Sequence, residues 1–272
     1  MEDTIAKICR AEYKVQVQVK ASGTTIGALV VTPNSLLKDL SFSDQALNKI
    51  ENVMLTTSRV TLSSQFPYEF FVVTLRDPTL GVEVSFVRYI KDIRRLIMDD
   101  ISRTDYFQRL LIDVRAETPA EAGNVPMFAP KAWRLSEFLS RQIAERVRTQ
   151  LQASLVGERL FKLQGVRGEF AESDLSLRNR TAPGRFRLIL DFTPGTPPFD
   201  SLATPSLRED LLQVILSVAQ LVVRRYEFTT FDGLEIVDSQ GRQLTAYDRS
   251  VFSKDSMNTL MEMIRSLQKK QP

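Results

Sequence analysis

Residues 13–20 read Tyr13-Lys14-Val15-Gln16-Val17-Gln18-Val19-Lys20, an unbroken alternation of apolar and polar side chains. A period of two places Val15, Val17 and Val19 on one face of an extended chain, which predicts a half-buried strand. Ser22-Gly23 turns the chain into residues 25–32 (TIGALVVT), a second strand that reads as more fully buried and is ended by Pro33-Asn34. Two strands joined by a tight turn make a hairpin, and the elements downstream decide what that hairpin packs against.

Ser41 or Ser43 can cap a helix running to about Met54, with Leu47, Ile50, Val53 and Met54 on one face. Residues 60–64, 68–76 and 81–86 read as strands, the last two joined by Asp77-Pro78-Thr79-Leu80-Gly81. Phe86, Ile90, Ile93, Ile97 and Ile101 then fall at helical spacing, with Arg88/Asp92 and Arg95/Asp99 as pairs on the exposed side. Residues 110–114 supply one more strand. Residues 116–131 (AETPAEAGNVPMFAPK) hold three prolines and a glycine and read as a linker.

Beyond it, residues 133–156 predict a long helix with Leu135, Leu139, Ile143, Val147, Leu151 and Leu155 as its apolar stripe. Strands are expected around residues 160–170 and 186–192, before a proline-dense loop at 193–205. Ser206 and Glu209 form a capping box for the next helix, which Arg224 and Arg225 close. A stretch at 226–231 and a hairpin of residues 233–237 and 243–247, turned at Asp238-Ser239-Gln240-Gly241, come next. Ser253 caps a last helix bearing Met257 and Met261.

The expected fold class is therefore α+β: two mixed modules, each a small mainly antiparallel sheet flanked by helices, with element order ββαβββα in each half. The modules are residues 1–115 and 132–272, the second opening with the long helix, and residues 116–131 link them. The two halves share no residue-level repeat. The element order is similar to that of profilin-like and longin-like modules, small sheets flanked by helices that mostly serve as interaction platforms; the resemblance covers element order only.

Composition limits the chemistry. The chain has 272 residues, 43% hydrophobic and 25% charged, with 36 Lys+Arg against 33 Asp+Glu. That is an ordinary globular composition. It holds no histidine, so His-activated nucleophiles, His proton shuttles and His-ligated metals cannot be built from this chain alone. A single cysteine, Cys9, rules out an internal disulfide and multi-thiolate metal sites. The N-terminus is acidic and no apolar run comes after it, which argues against a secretory signal. The longest uncharged apolar stretch, residues 211–223, spans only ~20 Å as a helix against the ~30 Å of a bilayer core. It reads as a buried helix, apolar nearly all round, whose deciding position is Val222: exposed, it would mark an interface. One cysteine and no signal fit a cytoplasmic location.

Candidate catalytic motifs are weak. The nucleotide-binding patterns G-x-x-x-x-G-K-[ST] and G-x-G-x-x-G do not occur, and Leu188-Ile189-Leu190-Asp191 reads as a strand ending in a turn-forming Asp. Ser35-Leu36-Leu37-Lys38 fits the Ser–Lys arrangement but lacks its companion motifs. Asp99, Asp100, Asp105 and Asp113 could hold Mg²⁺ or Ca²⁺ through oxygen, yet Asp99 is expected to pair with Arg95 and Asp113 to close a strand. Gly165-Val166-Arg167-Gly168 matches the GxxG loop of RNA-binding KH domains, against which a tight turn between strands is the simpler reading. No catalytic residue, metal site or cofactor is expected.

Charge is the more informative signal. Residues 131–187 hold 12 basic and 6 acidic side chains, and ten of the basic ones are arginine. Arg134, Arg141 and Arg148 repeat every seven residues and so share a helix face, with Glu137 and Glu145 each four residues from Arg141. With Lys162, Arg167, Arg178 and Arg180 they make a candidate anion- or partner-binding surface. A second candidate is the loop carrying Pro194, Pro197, Pro198 and Phe199, where restricted backbone lowers the entropy lost on docking. The expected function is a non-catalytic intracellular interaction or assembly protein with protein partners, able to form an oligomer or to serve as a subunit of a larger complex. Nucleic-acid binding through residues 131–187 is the alternative, and a carboxylate- or metal-dependent enzyme the third.

Overall fold

A helix, α1 (Glu2–Tyr13), opens the chain where no element is expected. Its stripe is short: Ile5 and Cys9 are buried, and Tyr13, four residues on, packs against the same core. Lys14 ends it in the left-handed conformation, φ 58°, and the Val15 N–H donates to the Cys9 carbonyl. The alternating stretch is therefore not a strand from residue 13: β1 runs only Gln18–Ser22. Val15 and Val19 are nonetheless buried in the core. Alternation reports which side chains face inward, and pairing starts later. The computed structural model describes residues 1–36, 41–116, 128–153, 163–172, 184–192 and 205–252.

β2 (Thr25–Val31) pairs antiparallel with β1, and α2 (Asp44–Leu62) carries the chain to β3 (Phe70–Asp77), which lies parallel to β2. The Ser43 side chain accepts the Ala46 N–H at the start of α2. Residues 60–64 are not a strand, because α2 continues to Leu62. Their β-branched, hydroxyl-rich sequence stays helical while Thr57, Ser58 and Thr61 donate to carbonyls four residues back. β4 (Val82–Tyr89) and β5 (Leu111–Ala116) complete a five-stranded sheet of order β1-β2-β3-β4-β5. The helix expected through Phe86–Ile101 is much shorter. Phe86 belongs to β4, α3 spans Ile90–Ile97, and a further short helix, α4 (Arg103–Gln108), precedes β5. Ile26, Ala28 and Val30 of β2 and Phe71, Val73 and Leu75 of β3 meet Ile50 and Val53 of α2 in the core, where each large apolar side chain contributes roughly 1.5–3 kcal/mol.

Two compact units divide the chain, Met1–Trp133 and Arg134–Pro272. Of the linker stretch, residues 117–127 lie outside the described residues. Residues 128–133 pack on the first unit: the Trp133 N–H donates to Thr25 Oγ1 at 2.9 Å, and Trp133 is buried. Gly27 lets this segment approach, since a Cβ there would lie 2.5 Å from Pro130.

The second unit begins with α5 (Leu135–Ala153), on which Leu139, Ile143, Val147 and Leu151 are buried as the stripe requires. β6 (Leu163–Ala171) and β7 (Gly184–Phe192) pair antiparallel. A helix, α6 (Pro205–Arg225), crosses to β8 (Phe231–Asp238), parallel to β7, and β9 (Gln243–Asp248) closes a four-stranded sheet of order β6-β7-β8-β9. A short 3₁₀ turn, Arg249–Phe252, comes after it. α6 starts at Pro205, so Ser206 lies inside the helix rather than capping it; proline suits a first helical position because its missing N–H would be unsatisfied there. Residues 226–230 form no strand. Val222 is fully buried while Leu221 is 42% exposed, so α6 is a core helix with one outer edge. The predicted Ser253 helix lies outside the described residues. No described helix is long and apolar enough to cross a membrane.

The fold is α+β in two modules, but among the described residues the order they share is αββαββ, not the expected ββαβββα. In each unit a helix precedes a hairpin, a helix crosses over, and a second hairpin ends the run with the two inner strands parallel. The likeness to profilin-like and longin-like modules depends on the expected order and loses its basis.

Candidate functional site

The arginine face divides when folded. α5 lies against β6 and approaches it closely at Gly168, where a Cβ would sit 1.9 Å from the Ser140 carbonyl oxygen. Gly165–Gly168 is thus neither a KH loop nor a turn: it is the middle of β6, with glycine required for helix contact. Arg134 and Arg141 line a hollow of about 430 Å³ beside this contact, together with Glu137, Glu169 and Glu172. Arg134 forms an ion pair with Glu172. Arg148 sits further along α5 and bonds Glu145 at 2.6 Å, so Glu145 serves Arg148 instead of Arg141.

Arg167 points to the other surface of the sheet. There it bonds Asp191 of β7 at 3.1 Å. Phe186, Leu188 and Leu190 of β7 alternate inward with Leu234 and Ile236 of β8, leaving the residues between them on the solvent side. Across three strands the register sets Glu169, Arg187 and Glu235 side by side. Arg187 Nε donates to Glu235 at 2.9 Å, and Arg185 pairs with Asp248 at 3.5 Å. Arg167, Glu169, Arg187 and Asp238 line a shallow depression of about 290 Å³ on this face. Arg185 and Arg187 fall outside the arginines that sequence reasoning picks out. Their alternation with Phe186 and Leu188 is the available signal, and their acidic partners lie 48 residues away or more.

Lys162, Arg178 and Arg180, and the loop residues Pro194, Pro197, Pro198 and Phe199, lie outside the described residues. Trp133 and Phe138 are buried, and Phe138 stacks edge-on to Tyr226 with centroids 5.9 Å apart.

The first unit buries charge. Arg109 and Asp92, each 2% exposed, bond at 2.8 Å, and Arg109 also holds Asp105 at 2.7 Å. Arg88 lies 4.0 Å from the Tyr106 ring centroid and donates to the Tyr106 carbonyl. Arg88 and Asp92 do not lie on an exposed helix face: both are buried, β4 carries Arg88 inward, and Asp92 of α3 bonds Arg109. Burial pushes the Tyr106 phenol up; Arg88 opposes this and Asp92 adds to it. Asp77, fully buried at the end of β3, accepts from Ser35 N–H at 2.6 Å, Ser35 Oγ at 2.8 Å and Thr79 N–H at 2.9 Å. Burial raises the carboxyl, but these bonds and that from Leu80 together outweigh it, so its pKa lies below the ordinary value. Ser35 is fully buried and its hydroxyl donates to Asp77, a clasp between this segment and the end of β3; Lys38 lies outside the described residues.

A hollow between α1 and α2, about 370 Å³, is lined by Ile8, Thr56, Arg59 and Val60. Among the described residues no three of Cys, Asp and Glu converge as a metal set. No family model, curated protein or solved structure matches this chain.

Proposed function

We propose that this protein is a non-catalytic intracellular interaction or assembly protein, a subunit of a larger complex, and that it meets a protein partner through the solvent-facing side of its second sheet. The observation supporting this reading is the row Glu169, Arg187, Glu235, with alternating charge held in register across three strands. Opposite charges at fixed spacing select a partner of matching pattern and penalise a wrong register. Strands hold that spacing better than a loop would, and the buried side of the same strands anchors it.

The same ion pairs weigh against nucleic acid. Arg134, Arg148, Arg167 and Arg187 each have an acidic partner, and the α5–β6 hollow sets Arg134 and Arg141 beside Glu137 and Glu172. A polyanion would have to displace those acids and would then face them.

The test uses the tagged full chain beside a variant carrying Arg185→Glu and Arg187→Glu. Proteins that co-purify with the unaltered chain are expected to be lost from the variant. Neither should bind labelled nucleic acid at low salt. Retention of the same proteins by the variant removes this reading, and nucleic-acid binding that weakens steeply with salt replaces it with the alternative.

A further inference from the structure

We propose that two copies of this chain join edge to edge through β5, antiparallel, with Val114 opposite Val114 of the second copy. This rests on the first sheet and is independent of the charged face of the second.

Among the described residues β5 is the last strand of its sheet, with β4 on one side. The outward N–H and C=O groups of an edge strand are a template for another strand. β5 pairs with β4 without a bulge and carries no proline, so two common protections of an edge are missing from it. Its side chains also face the wrong way for a solvent edge. Ile112 and Val114 are 47% and 65% exposed, yet their register partners Phe86 and Val84 belong to the core. The apolar side of the sheet thus continues onto β5 with its last two side chains uncovered.

The charges choose the occupant and the register. Asp113 and Arg115 alternate with Ile112 and Val114 and so share the opposite side of the strand. Pairing centred on Val114 sets each Asp113 against Arg115 of the second copy, giving two ion pairs related by the two-fold axis, and sets Ile112 against Ala116. Pairing centred on Asp113 would instead place like charges opposite each other, which is destabilising. The strand is self-complementary in one register, as a symmetric dimer interface must be. Within the chain Asp113 and Arg115 stand beside Ser85 and Glu83 of β4, so both are held on the sheet surface where a second copy would meet them.

Sedimentation equilibrium of the full chain tests this. The unaltered chain is expected to be dimeric. Asp113→Arg and Arg115→Asp each place like charges across the axis and should weaken dimerisation at least about tenfold. An equimolar mixture of the two variants should restore a dimer, which also shows that both fold. Val114→Cys should cross-link on mild oxidation. Ile112→Cys should not, because its counterpart lies four residues, roughly 13 Å, along the strand, beyond disulfide reach. A monomeric unaltered chain, a dimer untouched by both charge changes, or cross-linking at 112 in place of 114 would overturn the proposal.

Discussion

Along their described residues the two units share the run αββαββ and treat the second side of its sheet in opposite ways. Asp77 ends β3 and Asp238 ends β8. Each closes its hairpin by accepting the N–H two residues on, Thr79 in one and Gln240 in the other, before a glycine at positive φ, Gly81 or Gly241. Matching those aspartates aligns the central strands. Ala28 and Val73 then correspond to Phe186 and Leu234 on the helix-covered side, by the register of each pair. On the other side, Leu29 beside Thr74 corresponds to Arg187 beside Glu235, and Gly27 to Arg185. In the first unit Leu29 and Thr74 are buried, and residues 128–133 lie over Gly27. In the second, the equivalent positions carry charge toward solvent. The path needs one apolar side only; the other is free to become core or surface, and that choice is where the units differ.

The first unit's buried charges should therefore be costly to disturb. Asp92→Ala would strip Arg109 of a buried partner in a site 2% exposed, and is expected to destabilise by about 3–5 kcal/mol in urea denaturation. Arg187→Ala, in the half-exposed pair with Glu235, should cost under about 1 kcal/mol. Similar losses at both sites would remove the distinction drawn between the two units.

Asp77 sharpens the comparison through pH. Its folded pKa lies below that of an unfolded aspartate, so its stabilisation is present above the unfolded value and is lost as pH falls through the lower, folded pKa. Asp77→Asn should cost about 1.5–3 kcal/mol at neutral pH, the worth of hydrogen bonds to a charged group, and should leave less acid-dependent stability to lose below about pH 4. Parallel pH–stability curves for the variant and the unaltered chain would show that the carboxylate is not the source.

Much of this framework is legible in the sequence, and the limits have physical causes. β2 and the hairpin at Asp77 are readable because an apolar run and turn-forming residues act locally. α1 is less so, since its stripe of Ile5, Cys9 and Tyr13 is short and runs directly into the alternating stretch that begins at Tyr13. The end of α2 reads as a strand because hydroxyl residues can bond their own helix, which composition alone does not reveal. Phe86 through Ile101 keep a helical period while the chain changes from strand to helix at Tyr89, so one pattern spans two structures. The pairing of the arginines is hidden for a different reason. Helical spacing puts Arg134 and Arg141 beside one hollow, but Glu172, just past β6, meets Arg134 there, and Arg167 with Asp191 and Arg187 with Glu235 are fixed only by strand register. Sequence shows the charges; pairing them requires the sheet.

The most direct measurement places the same acid at the two matched positions and records thermal unfolding by circular dichroism. Leu29→Glu buries an unpaired carboxylate at a site 2% exposed and is expected to cost several kcal/mol, lowering the unfolding temperature by more than about 10 °C. Arg187→Glu changes charge on a half-exposed surface and should shift it by no more than about 3 °C. That result fits one framework with a covered side in the first unit and a displayed side in the second; equal shifts, or a larger one for Arg187→Glu, would contradict it.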